Sequence, residues 1–275
     1  MPALSKSRSL LGVILLLLCF AQAAEATDTS LFSARVHEAN GAKLGYRLFQ
    51  PKNYDPAQKY PLILFLHGSG ERGSDNLAQI RSNFPDVFLS DKSQTENPCF
   101  LVAPQCPKDA SWNAETLSQV KAILDSLAGE FSLDPNRLYV IGISMGGRGV
   151  FNILTEYPGL FAAAVPCAGG SDPAQISKMK QTPMWLHCST RDRSIQHYYD
   201  LVAALKQQGE EVVWFKSNRN MSEPNMPWES VVAEVSKGRR FLYCEVLDGY
   251  HQDSWTFAWK NSQMPIWLFA KSKEE

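Results

Sequence analysis

No charge of either sign dominates this chain of 275 residues, in which 27 Lys and Arg stand against 28 Asp and Glu. A basic nucleic-acid binder and an acidic tail protein are both excluded by that balance. There is no internal repeat and no low-complexity linker, so a single domain is expected rather than an array. His and Cys nowhere fall at zinc spacing, and nothing in the sequence calls for a metal or another cofactor. Apolar runs are short of the ~18 residues that a membrane helix needs. What is present excludes disorder: 44% of the residues are hydrophobic, and 14 Phe, 7 Trp and 9 Tyr supply surface to bury.

The longest apolar run, Leu10 to Phe20, follows Lys6 and Arg8 and precedes Ala21-Gln22-Ala23 and Ala24-Glu25-Ala26. A basic start, a short apolar stretch and a small-x-small site read as a secretory signal peptide over residues 1–26, with a retained anchor as the alternative. The mature chain, 27–275, is then about 249 residues with 25 basic and 27 acidic side chains, a net charge of −2. A secreted or periplasmic location follows as the expectation. Five of the six cysteines survive, Cys99, Cys106, Cys167, Cys188 and Cys244. Pairing of Cys99 with Cys106, or of Cys167 with Cys188, stays open beside buried free thiols.

Lys43 to Phe49 and Pro61 to His67 read as strands, and the second is unbroken by polar residues, which implies burial on both faces. Phe100–Ala103, Leu138–Ile141, Phe161–Pro166, Met184–Cys188, Val212–Phe215 and Phe241–Val246 have the same character. Between them, Thr116–Phe131 and Ile195–Gln208 place apolar residues at three- and four-residue steps, the period of a helix. Alternating strands and helices predict an α/β fold with a mainly parallel central sheet covered on both faces. Residues 217–240, with a helix expected over Trp228–Lys237, form an excursion between two late strands. Such a segment either sits over a site or decorates an edge.

Leu138-Tyr-Val-Ile-Gly142-Ile143-Ser144-Met145-Gly146-Gly147, ahead of a helix over Arg148–Tyr157, is strand, G-x-S-x-G, helix. In such a turn the glycines leave room beside a strained serine, whose hydroxyl stands exposed at a helix N-terminus. The N–H of Met145 can then stabilise developing negative charge. A second donor is expected after an earlier strand, in Leu66-His67-Gly68-Ser69-Gly70-Glu71, with the N–H of Ser69 preferred and Gly70 second. His67 suits pinning that loop. The base must follow the serine in the chain. His251, in a loop after the last strand, fits better than His187 inside an apolar strand or His197 on a helix. For the orienting acid Asp192 follows a strand and precedes a helix; Asp200 and Asp248 are the runners-up.

These residues resemble a family of α/β-hydrolases, the secreted esterases and predicted peptidases of phospholipase/carboxylesterase-like type, related to feruloyl esterases and polyhydroxyalkanoate depolymerases. The likeness runs from Tyr46-Arg47-Leu48 through Tyr60 to Asn76, Val102-Ala-Pro-Gln-Cys106-Pro with Trp112, the turn at Ser144, and His251 to Trp255. It implies an α/β-hydrolase fold in which Ser144 is the nucleophile, His251 the base, Asp192 the acid, and Ser69 with Met145 the oxyanion donors. Family members carry Trp three residues after the base; here Trp255 is four away, and the 217–240 excursion is longer than the family's connection.

The expected activity is cleavage of carboxylic esters through a Ser-His-Asp triad and an acyl-enzyme. A serine peptidase of prolyl-oligopeptidase-like type and an inactive secreted binding protein are the alternatives. Trp112, Trp255, Tyr250 and Trp228 are candidate walls of a pocket for aromatic or carbohydrate-linked esters, with core packing as the competing role. A small-molecule or carbohydrate-linked ester is thus the expected partner, and no nucleic acid.

Overall fold

A computed structural model describes residues 27–39, 41–219 and 228–274; the expected signal segment and residues 220–227 of the excursion lie outside the described residues. Two polar-edged strands open the fold. Strand β1 (Phe32–Ala39) alternates exposed and covered residues and pairs antiparallel with β2 (Ala42–Phe49), the chain reversing at Gly41 with φ of 78°. β1 lacks an apolar run; the alternation Phe32-Ser33-Ala34-Arg35-Val36-His37 is its strand signal in the sequence.

The strands β3 (Tyr60–Leu66), β4 (Phe100–Pro104), β5 (Leu133–Ile143), β6 (Ala163–Cys167), β7 (Met184–Ser189), β8 (Val212–Asn218) and β9 (Phe241–Leu247) complete one sheet. Its order is β1-β2-β4-β3-β5-β6-β7-β9-β8, antiparallel through the β2–β4 pair and parallel from there on. This is the mainly parallel α/β sheet that the alternation of strands and helices predicts.

The uninterrupted apolar sequence of β3 has its cause in the two faces. Leu62, Leu64 and Leu66 point into one core, while Ile63 and Phe65 point into the other, and all five are buried. Between strands run α1 (Ala78–Arg81), α2 (Asp91–Glu96), α3 (Ala114–Glu130), α4 (Met145–Glu156), α5 (Ile176–Met179), α6 (Ile195–Gln207), α7 (Trp228–Ser236), α8 (Asp253–Lys260) and α9 (Gln263–Phe269). Leu117, Val120, Ile123, Leu124 and Leu127 of α3, with α4 and α6, cover the first face. Ile80 of α1, Val231 of α7, Phe257 of α8 and Trp267 of α9 cover the second. Asn113 starts α3 by accepting the N–H of Thr116 at 3.0 Å, relieving one of the four amides a helix start leaves unpaired.

Two expectations change. Val212–Phe215 is not a doubly buried strand, because β8 crosses outside β9 to the sheet edge, where Trp214 is exposed. The excursion is the return connection that this crossing requires, and its helix α7 docks on α9 under the second face. All five described cysteines are buried free thiols, so neither disulfide pairing forms. No described helix is long and apolar enough to cross a membrane.

Candidate active site

Four parallel strands deliver the site at their carboxyl ends, where an open α/β sheet has its crevice. Ser144 follows β5 with φ 53° and ψ −115°, a conformation that costs a side-chain-bearing residue on the order of 1–3 kcal/mol. Its N–H is tied to the Cys167 carbonyl of β6 at 2.8 Å. Both flanking glycines are steric requirements. A Cβ on Gly142 would lie 2.3 Å from the Gly146 carbonyl oxygen, and one on Gly146 would lie 1.8 Å from that of Leu66. The strand, the turn and α4 therefore meet with no space for a methyl group.

The Ser144 Oγ is 2.8 Å from Nε2 of His251, and Nδ1 of the same ring bonds Oδ2 of Asp192. Three residues far apart in sequence thus form one hydrogen-bonded relay. Asp192 is only 4% exposed. Its other oxygen accepts the Ser194 N–H at 2.7 Å and the Ser194 hydroxyl at 2.6 Å. Burial pushes this carboxyl up, but the hydrogen bonds from His251 and Ser194 outweigh it and hold the group below the ordinary carboxylate range. An ionised Asp192 fixes the proton on Nδ1 and leaves Nε2 as the acceptor for the serine hydroxyl. Asp200 instead accepts from Gln196, and Asp248 pairs with Arg191 at the surface.

The acid and base loops are fastened together. Arg191 N donates to the Gly249 carbonyl at 3.0 Å, and Asp248 N to Thr190 Oγ1 at 2.8 Å. Tyr250 carries a guanidinium at 5.3 Å (Arg191) and another at 5.2 Å (Arg219) from its ring centroid, and its hydroxyl accepts from Arg191 at 3.0 Å. Arg219 also pairs with Asp253, so the start of the excursion reaches the edge of the site. Below, Ser254 accepts the Ser189 N–H at 3.0 Å and locks the start of α8 to the end of β7.

Ser69 and Met145 line the same cleft as Ser144, Asp192 and His251, a volume of about 420 Å³. Among the described residues, neither N–H is spent on a loop, turn or cap hydrogen bond. Gly70 does not line the cleft. His67 pins this loop: Nε2 accepts the Cys106 N–H at 2.9 Å and Nδ1 donates to the Gly68 carbonyl at 2.6 Å. Burial lowers its pKa to about 4, which keeps Nε2 free to accept. His187 is likewise neutral, lowered to about 3 by burial and stacked on Trp185.

The aromatic wall is not where composition suggests. Trp112 is 1% exposed; its indole N–H donates to the His67 carbonyl at 3.0 Å and the ring packs on Gly149, so it supports the loop from beneath. Trp255 turns its edge to His251 at 5.1 Å between centroids and donates to Asn83 Oδ1, lining a separate cavity. Both are corrected from cleft wall to support. The side chain of Trp228 lies outside the described residues. The cleft is instead lined by Arg148, Arg193, Ser194 and His197. Nothing in the sequence distinguishes these from solvated surface residues, apart from their nearness to Ser144 and Asp192.

Residues 38–241 match the Esterase family model, described as "Putative esterase", a stretch that includes Ser144 and Asp192 and stops ten residues before His251. A bifunctional acetylxylan esterase/xylanase from Neocallimastix patriciarum is 25% identical over 171 residues, 60% of this chain and 24% of that protein. Poly(3-hydroxyalkanoate) depolymerase C from Paucimonas lemoignei is 29% identical over 120 residues, 40% of this chain and 28% of that one. The chain thus spans about a quarter of the length of these curated relatives. The crystal structure of a thermostable esterase superposes with a TM-score of 0.75 at 30% identity, over 89% of this chain and 64% of that one. The serine turn, the relay behind it and a family match covering most of the chain lead to one statement: the protein belongs to the Esterase family of α/β-hydrolase fold.

Proposed function

We propose that this chain is a serine hydrolase of carboxylic esters, acting outside the cytoplasm. The observation that carries the reading is the unbroken Ser144–His251–Asp192 relay, seated on a strained turn at the mouth of the cleft. Ser144 Oγ attacks the ester carbonyl as its proton passes to Nε2 of His251. Asp192 holds Nδ1–H and stabilises the charged ring. The N–H groups of Ser69 and Met145 receive the oxyanion, a contribution on the order of 3 kcal/mol for one such donor. The tetrahedral adduct expels the alcohol, which takes the proton from His251. Water then attacks the acyl-serine, gives its proton to His251, and the acid leaves as Oγ is reprotonated.

The relatives' names, acetylxylan esterase and polyhydroxyalkanoate depolymerase, favour short acyl esters on a carbohydrate or polyester. The Lys6–Ala26 pattern supports export. Turnover of p-nitrophenyl acetate and a feruloyl ester is compared with that of peptide p-nitroanilides. The expected result is turnover of one or both esters well above that of the anilides. A preference for the anilides overturns the ester assignment in favour of a peptidase.

A further inference from the structure

Part of the lining of the cleft beside Ser144 consists of donors without partners among the described residues. Arg148, one helical turn after Ser144 on α4, and Arg193, directly after Asp192, form no ion pair, side-chain hydrogen bond or ring contact among the described residues, and neither does the ring of His197. Arg137, Arg191, Arg219, Arg239 and Arg240 are all ion-paired. The single carboxylate in the cleft lining, Asp192, is already occupied by His251 and Ser194. Arg148 and His197 also converge. Their nitrogens Nη2 and Nε2 lie 2.9 and 3.4 Å from the position that a Cβ would take on Gly170, so they are at most 6.3 Å apart. That span is the reach of one carboxylate with its two acceptor oxygens. Glu71 also approaches the serine: its Oε2 lies 3.1 Å from the position that a Cβ would take on Gly68, itself 3.6 Å from the Ser144 Cβ, and Asn83 donates to its Oε1 at 3.1 Å. Arg148, Arg193 and His197 all line this cleft, and Arg148 with His197 is the pair that converges.

Resting on the esterase reading, we propose that Arg148, Arg193 and His197 form a subsite for a carboxylate carried by the ester substrate. A guanidinium presents a planar fork of donors that matches a carboxylate, and a pair beside a reacting carbonyl orients the ester as well as binding it. The chain as a whole is nearly neutral, so this selectivity belongs to the wall of the cleft and not to long-range attraction.

Two matched pairs of substrates test the subsite: p-nitrophenyl hydrogen succinate against p-nitrophenyl butyrate places the carboxylate on the acyl side, and 4-acetoxybenzoate against its methyl ester places it on the alcohol side. The expected result is a kcat/KM ratio favouring the charged member of at least one pair by about tenfold, falling in high salt. Arg148→Gln and Arg193→Gln each lower that ratio by about tenfold, and because the ratio is taken within each variant a general loss of activity cancels. Wild-type preference for the neutral member of both pairs overturns the proposal, as does a ratio that neither substitution moves. If none of the four esters is cleaved, the esterase reading fails on its own. Calorimetric titration of the full chain with succinate and 4-hydroxybenzoate then decides the subsite: binding lost in Arg148→Gln supports it, and no binding of either overturns it.

Discussion

The acid of the relay is distinguished from its neighbours by what its two oxygens touch. Asp192 bonds His251 with one and Ser194 with the other, whereas Asp200 pairs with Gln196 and Asp248 with Arg191 at the surface. Asp192→Asn replaces the carboxylate by a neutral amide whose NH2 can donate to Nδ1 and select the wrong tautomer, and kcat on an activated ester is expected to fall by about 10⁴. Asp200→Asn and Asp248→Asn are expected to change it less than about threefold; steady-state kinetics of the three variants check this, and equal losses contradict the assignment. Tyr250 is the second informative residue. Its ring contacts both Arg191 and Arg219, and the Arg191 contact ties the acid loop to the base loop. Tyr250→Ala is expected to lower kcat by about tenfold through misplacement of His251, and Tyr250→Phe, which keeps the cation–π contacts, by less.

Among the elements, the junction of β5 and α4 is the least tolerant. A Cβ at Gly146 meets backbone carbonyls of Leu66 and His67 at 1.8 and 2.7 Å, so Gly146→Ala must part β3 from α4. Loss of about 3 kcal/mol or more is expected. Gly129, inside α3 with nothing within 4 Å of its Cβ position, is the contrast: Gly129→Ala is expected to stabilise by up to about 1 kcal/mol. Thermal or urea melts of the two variants should move in opposite directions. The same contrast explains how much could be read from the sequence. A buried strand such as β3 announces itself because both faces demand apolar side chains, and the serine turn because only glycine fits beside it. β8 misleads because a four-residue apolar run reads alike at an edge and in the middle of a sheet. β1 is easily passed over because its edge position asks only for alternation, which stands out less than an unbroken apolar run. Trp112 and Trp255 are placed wrongly because indole is equally suited to supporting a loop and to walling a cleft. Arg148 and Arg193 give no signal because they are exposed side chains like any other in the sequence, and His197 presents itself there only as a candidate base.

For the whole molecule, burial makes stability depend on acid. His67 and His187 titrate at about 4 and about 3, below the ordinary value of 6.5. The unfolded chain gains both protons as pH falls below 6.5, while the folded chain stays neutral at these sites until about pH 4 and below. Their contribution is thus complete above pH 6.5 and is lost from 6.5 down to about 4 for His67 and about 3 for His187, on the order of 3 to 5 kcal/mol for each. Asp192, held low, adds a further loss below the ordinary carboxylate value. Urea melts from pH 7 to pH 4 should show stability falling with a slope near two protons, and a flat profile contradicts the buried neutral histidines. The central claim, that this fold holds Ser144 as an activated nucleophile, is tested most directly by titrating the folded chain with a fluorophosphonate and mapping the adduct. One label per chain on the peptide containing Ser144, with labelling slowed severely in Asp192→Asn, is the predicted result. No labelling at Ser144 in protein shown to be folded would contradict it.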